Sequence, residues 1–322
     1  MIRSTSMAAD EDRHAQERLR AAGVSVFERG WLSANNILLE GGPPGTTALV
    51  DTGYVSHSEQ TVQLVQSSLG PARKLDLILN THLHSDHCGG NAALKAAYPN
   101  ARTLIPPGHS EAVKVWDDDV LTFRATGQEC ARFTFDALLI PGTSIHLGRS
   151  MWQIHAAKGH DPHSIVLFEP ESRILISADA LWENGFGVVF PELEGIHAFE
   201  EVAATLDLIE QLGPTLILPG HGKWFADLSG ALHRARARLE GFLLHPEKHR
   251  RHAVKVLIKY RLLDWQRIPF ADLLAWTKAT PFLAAHLPDD ASDDQEQWLA
   301  QIVQELERAK AARRDGDWVI NT

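Results

Sequence analysis

The sequence predicts a mixed α+β fold, a core of strands and helices followed by a helical appendage. Two patterns carry that reading. From Val24 onwards, short apolar runs of strand length alternate with helical periodicities. After Trp224 the strand-like runs give way to successive helical ones. Composition agrees: 322 residues, 44% hydrophobic and 22% charged, are those of an ordinary globular chain with room for one large domain or a core plus a smaller unit. The division expected is an arm over 1–22, a core domain over 23–230 and a helical domain over 231–322.

Residues 1–22 carry charges of both signs and no apolar h-region, so they read as a loose arm and not as a signal peptide. The runs beginning at Val24, Asn35 and Thr46 read as strands, with the Gly41–Gly45 stretch (GGPPG) as a turn. Val62, Val65 and Leu69 stand at helical spacing over 57–69, a helix that Gly70-Pro71 ends. The continuously apolar run 75–80 suits a strand buried on both faces, and a helix should follow over Asn91–Tyr98. Strand-like runs recur between 101 and 177: RTLI, RFTFDALLI, SIHLG, MWQIHAA, SIVLFE and RILISA. A helix over Phe199–Leu212 and the strand TLILPG close the core.

Helical patterns then cover 231–244 and 246–263, the second opened by Pro246 at a first-turn position, and another begins at Pro269. Ser292 with Gln295 three residues on reads as a capping box for a last helix that sets Trp298, Ile302 and Leu306 on one face. The closing DWVIN reads as one short strand.

Several functions are disfavoured at this level. No run approaches eighteen uninterrupted apolar residues, so no membrane span is expected. Cys88 and Cys130 cannot build a disulfide framework, which points to a cytoplasmic chain. A net charge of -10 argues against general nucleic-acid binding.

Of the 17 histidines, three stand together with an aspartate in Thr81-His82-Leu83-His84-Ser85-Asp86-His87, where the apolar strand 75–80 ends. On extended chain, His82 and His84 project to the same side. Asp86 and His87 follow a turn and are free to address a second position, with Gly89-Gly90 allowing a tight backbone behind them. Three later fragments also set a His or Asp at a strand end: Gly159-His160-Asp161-Pro162, Ser177-Ala178-Asp179-Ala180 and Pro219-Gly220-His221-Gly222. Imidazole and carboxylate donors without thiolate suit a borderline divalent ion, zinc first, with iron or manganese also compatible.

Together these fragments resemble the metallo-β-lactamase-fold hydrolase superfamily, over roughly two thirds of the chain. The resemblance implies an αββα sandwich with two divalent metal ions. It assigns His82, His84 and His160 to one ion, Asp86, His87 and His221 to the other, and Asp179 to both. It also implies that Asp51, in Asp51-Thr52-Gly53, supports the metal loop by hydrogen bonds without binding metal. Asp179, where some antibiotic-hydrolysing relatives place a Cys, favours the hydroxyacylglutathione-hydrolase type of site. Residues 231–322 look like the winged-helix-like appendage of the lactamase-like protein 2 branch.

In such a site two ions about 3.5–4 Å apart share a hydroxide that attacks the substrate, with Asp86 orienting it. A thiolate leaves without protonation, whereas an alkoxide benefits from an acid, so a small anionic thioester or activated ester is the expected substrate. His163 stands where these enzymes usually have Gly, and is the candidate for substrate contact or acid catalysis. The other eleven histidines fit no metal pattern and read as surface or core. A lactonase is a close alternative. A phosphodiesterase or ribonuclease is the other, because Gly230–Arg261 holds nine Lys/Arg against two Asp/Glu. The carboxylates that open the last helix (Asp293, Asp294, Glu296) count against RNA. Oligomeric state is not legible.

Overall fold

The computed structural model describes residues 2–41, 46–288 and 292–322, with side chains from 12, excluding 292 and 293. Two sheets stack face to face. The first runs, in spatial order, β1 (Val24–Phe27), β2 (Asn36–Leu39), β3 (Ala48–Val50), β4 (Leu77–Leu79), β5 (Arg102–Ile105) and β6 (Ala137–Leu138). From β3 onwards its pairings are parallel. The second comprises β7 (Ser144–Leu147), β8 (Ser150–Ala156), β9 (Ile165–Glu169), β10 (Ile174–Ala178) and β11 (Leu216–Pro219), the last lying parallel to β10 at one edge.

Single strands show why the sheets stack. Ile37 and Leu39 of β2 enter the core between the sheets, while Leu38 turns outward with Leu49 and Ile78. That outer face is covered by α2 (Ser58–Leu69) and α4 (Asn91–Ala97) through Val65, Leu69 and Leu94. A one-turn helix, α3 (Ser85–Cys88), precedes α4, and α5 (Ser110–Val115) and α6 (Phe123–Thr126) share an apolar cluster with Leu83, Cys88 and Ile105. After the short α7 (Phe190–Leu193), α8 (Phe199–Leu212) and α9 (Leu228–Leu244) cover the second sheet. Phe199, Val202, Leu206 and Ile209 form the stripe of α8 that meets Leu175 and Ile217. Leu206 has no exposed surface, so truncation to Ala would cost about 2–5 kcal/mol. The layers are α, β, β, α, as the resemblance implied.

The C-terminal part adds α10 (Pro246–Trp265), α11 (Phe270–Ala279), α12 (Pro281–Ala284) and α13 (Ser292–Arg308). A small antiparallel sheet joins them, β12 (Arg267–Pro269), β13 (Ala312–Asp315) and β14 (Trp318–Asn321), in the order β12-β14-β13. This part has its own apolar cluster, in which Ile258 and Leu262 meet Leu273, Leu299, Ile302 and Val319.

Three expectations change. The supposed arm is a helix, α1 (Ile2–Ala22), held because Ala15 and Leu19, one turn apart, enter the core between the sheets. Of the run RFTFDALLI only Ala137 and Leu138 pair, at the sheet edge, where the Asp136 carboxylate accepts the Thr103 amide at 2.8 Å. The single closing strand is one of three, because the charged Ala312–Asp315 carries no apolar alternation to announce it. The turn residues 42–45 and the side chain of the capping-box Ser292 lie outside the described residues; Gln295 donates to the Pro288 carbonyl.

Candidate metal centre

The strand ends converge at one edge of the sandwich. His82 and His84 leave β4, with His84 still extended (φ -65°, ψ 148°) before the chain turns into α3. Their ring centroids lie 4.6 Å apart, His82 Nε2 is 3.1 Å from His84 Nδ1, and the His160 ring lies within 5.1 Å of both. On the other side, His221 Nε2 stands 3.0 Å from Asp86 Oδ2, and His87 Nε2 stands 3.8 Å from the same oxygen. Asp179 lies between the two groups, 3.5 Å from His160 Nε2, 3.4 Å from His87 Nε2 and 3.8 Å from His221 Nε2. The structure therefore brings together all seven residues singled out in the sequence. Three sets among them, His82/His84/His160, His82/His87/Asp179 and Asp86/His87/His221, have donor atoms within 4.8 Å of one another.

The donor set fits divalent metal. His87 Nε2 and His160 Nε2 are buried without a hydrogen-bond partner, an arrangement that costs free energy unless something occupies the lone pairs. Their opposite ring nitrogens are engaged: His87 Nδ1 lies 2.8 Å from Asp51 Oδ2, and His160 Nδ1 lies 2.5 Å from the Val188 carbonyl. Those acceptors fix the tautomer and aim Nε2 into the site. The Thr81 hydroxyl donates to Asp51 at 2.8 Å and lies 3.1 Å from His82 Nδ1, so Asp51 braces both imidazoles. It does so with φ at 59°, a left-handed conformation that Asp adopts at some cost.

Electrostatics agree. Burial and then the neighbouring imidazoles push His82 far down and His84 to about 4, leaving both neutral donors at neutral pH. Burial opposes the charge on Asp86 and Asp179, but His87 and His221 outweigh it and both stay ionised. Against its own burial, His87 is in turn pushed well above the usual imidazole range by Asp51, Asp179 and Asp86, and a metal ion at Nε2 would displace that proton. Backbone spacing is equally tight. A side chain at Gly220 would meet Asp179 Oδ1 at 2.1 Å, and one at Gly90 would meet the Thr52 carbonyl at 2.4 Å.

A cavity of about 380 Å³ opens onto this cluster. The segment after Asp179 forms one wall of it, with Trp182, Glu183, Asn184 and Gly187 as lining. Other lining groups carried no sequence signal. Trp31 stacks on His221 at 5.3 Å and 4°, and Phe190 packs edge-on against His84. From the C-terminal helices come Arg238, His252, Val256, Leu257 and Tyr260. His252, grouped in the sequence with the histidines lacking a role, faces the cavity.

His163, expected at the substrate, is placed elsewhere. Its ring fills the space a side chain at Gly108 would need and packs edge-on against His109 at 4.5 Å, and it does not line the cavity. Asp161 does what proximity in sequence did not reveal: its Oδ2 lies 3.8 Å from His84 Nε2. Tyr54 is buried behind Tyr260. Cys88 is buried outside the three donor sets, with its Sγ 3.7 Å from Cys130 Sγ.

Residues 29–221 match the family model of the metallo-beta-lactamase superfamily, and the chain belongs to that superfamily. Among characterised relatives, it is 29% identical over 160 residues to a hydroxyacylglutathione hydrolase of Francisella tularensis subsp. holarctica, 49% of this chain and 54% of that one. It is 26% identical over 184 residues to a nitric oxide reductase of Moorella thermoacetica, 56% of this chain and 38% of that one. The chain thus spans about half the length, or less, of these relatives. Solved structures share the fold: a beta-lactamase domain protein from Burkholderia ambifaria (TM-score 0.58, 18% identity, 93% of this chain and 92% of that one). A metallo-beta-lactamase family protein from Thermus thermophilus is also similar (TM-score 0.54, 19% identity, 93% and 99%). No helix among the described residues is long and apolar enough to cross a membrane.

Proposed function

We propose that this chain is a hydrolase of small thioesters or activated esters that holds two divalent metal ions. The observation that carries it is the buried ring of seven donors, with two imidazole nitrogens aimed inward and unpartnered. His82, His84 and His160 would hold one ion, Asp86, His87 and His221 the other, with Asp179 shared. When bound, such ions supply a water activated at neutral pH and polarise the substrate carbonyl.

The chain's own groups supply the rest. Asp86, ionised beside His221, would accept a hydrogen bond from the attacking water and orient it. Tyr260, whose hydroxyl burial keeps protonated, donates from the α10 side of the cavity to the carbonyl oxygen as it gains charge. Trp31 and Trp182 shield His221 from bulk water. With His163 outside the cavity, the residue put forward as an acid is absent from it, and a thiolate, which leaves without protonation, needs none. The likeness to a hydroxyacylglutathione hydrolase supports the same reading.

The structure weakens the RNA alternative. Six of the nine cations between Gly230 and Arg261 meet a carboxylate or at least two acceptors within the fold. Arg234 meets Asp227, Arg236 meets Asp207 and Glu210, and Arg251 and Lys255 meet Glu305. Lys259 donates to the carbonyls of Ala311 and Thr322, and Arg261 meets Asp264.

Elemental analysis after zinc titration, followed by a thioester, lactone and phosphodiester panel, tests the proposal. Two ions per chain and thioester turnover are expected. A single ion at saturation, or phosphodiester cleavage without ester cleavage, would overturn it.

A further inference from the structure

Arg238 is the unusual cation of α9. Arg234 and Arg236, on the same helix, are both paired with carboxylates. Arg238 points instead into the cavity, half-buried, and among the described residues it makes one hydrogen bond, from Nη1 to the Phe186 carbonyl at 3.2 Å, and no ion pair. Beside it on the same wall, His252 lines the cavity and makes no side-chain hydrogen bond among the described residues. A half-buried guanidinium whose one protein acceptor is a neutral carbonyl keeps most of its five donors available to an anion in the cavity. Burial without a counter-charge accordingly pulls the Arg238 pKa down.

The position relative to the metal centre is set by one strip of backbone. Arg238 bonds the Phe186 carbonyl and His160 bonds the Val188 carbonyl, two residues on. Two residues of chain span at most about 7 Å, so the carbonyls that hold Arg238 and His160 are separated by no more than about five bonds of a small molecule. We infer that Arg238 and His252 form a carboxylate-binding subsite, and that the substrate is an ester or thioester carrying a carboxylate a few bonds from the reacting carbonyl. This rests on the hydrolase reading above. The fork of Arg238 takes the carboxylate side-on, and neutral His252 adds one N–H.

The carboxylate belongs either to the acyl arm or to the thiol arm, and two substrate pairs separate these. The first is glutaryl against pentanoyl thioesters of one neutral thiol; the second is butanoyl thioesters of 3-mercaptopropionate against propanethiol. With the full, zinc-loaded chain, Arg238→Gln should raise KM for the charged member of one pair about 30-fold and that of its neutral partner less than about twofold. The pair that responds identifies the arm. Arg238→Lys should recover part of the loss, His252→Leu should show a smaller one, and melting temperature and metal content should stay at wild-type values. Unchanged charged-to-neutral ratios in both pairs would overturn the subsite. If the wild type cleaves none of the four thioesters, the hydrolase reading fails and calorimetry decides the subsite. Glutarate should then bind the zinc-loaded wild type at least about tenfold more tightly than Arg238→Gln, and equal binding would overturn it.

Discussion

Asp51 Oδ2 lies 2.8 Å from His87 Nδ1, a contact between two almost fully buried side chains that sets which nitrogen of His87 faces the metal centre. The same carboxylate takes the amide and hydroxyl of Thr81 at 2.8 Å. One residue outside the donor ring therefore orients both halves of it. Asp51→Asn, which tolerates the left-handed backbone, should keep the fold but weaken the tighter-held metals about 10–100-fold by zinc competition titration. Wild-type affinity in the variant would remove Asp51 from this role.

Asp179 stands within 3.8 Å of three imidazole nitrogens belonging to both groups. Asp179→Asn should lower metal content and abolish hydrolysis, and His160→Ala should abolish it while disturbing one metal position only. Near-normal turnover of Asp179→Asn with two ions bound would show that Asp179 is not shared.

Tyr260 tests whether the C-terminal helices take part in the chemistry. Tyr260→Phe deletes one oxygen, whose contact to Ser85 is a long 3.5 Å. The expected result is a fall in kcat of about tenfold or more, with metal content and melting temperature unchanged. An unaltered kcat would restrict α10 to shaping the cavity.

Stability should fall in mild acid for a reason outside the metal centre. His249 Nε2 accepts the Val189 amide at 3.2 Å, so its ring must be neutral when folded. Burial lowers its pKa to about 4, below the value of about 6.5 expected when unfolded. The unfolded chain therefore binds the extra proton first, and stability drops as pH falls from about 6.5 to 4, by about 2–3 kcal/mol from this group. His249→Gln, which retains an acceptor and does not titrate, should flatten the melting-temperature profile over that range.

The basic run on α10 should behave as structure and not as a binding face. Arg261 is 6% exposed, lies between the rings of Trp265 and Trp276 at 4.6 and 4.7 Å, and also bonds the Gly127 carbonyl. Arg261→Ala should cost on the order of 1–3 kcal/mol in urea unfolding, since it removes the cation between the two rings and leaves Asp264 with the Ser56 hydroxyl as its partner. Lys255→Ala should leave the affinity for RNA, at any salt concentration, no different from wild type.

Much of the fold and the whole donor ring could be read from the sequence. Period-two and period-3.6 apolar patterns are local properties of the chain, and they placed the main strands, α2 and α8. The candidate donors were legible because they fall in short, chemically unusual fragments that follow strands, as His82, His84, Asp86 and His87 do within six residues. What the tertiary structure decided was the cavity's other wall. Trp31, Arg238, His252 and Tyr260 line the cavity from sequence-distant elements, and no spacing links them to the donors. It also decided which cations are free, because the ion pairs of Arg236 and Arg251 join residues 26 to 54 positions apart. His163 shows the converse. Three residues from a donor in sequence, it turns onto Gly108, because the bend after His160 directs its ring out of the cavity and into the space that glycine leaves.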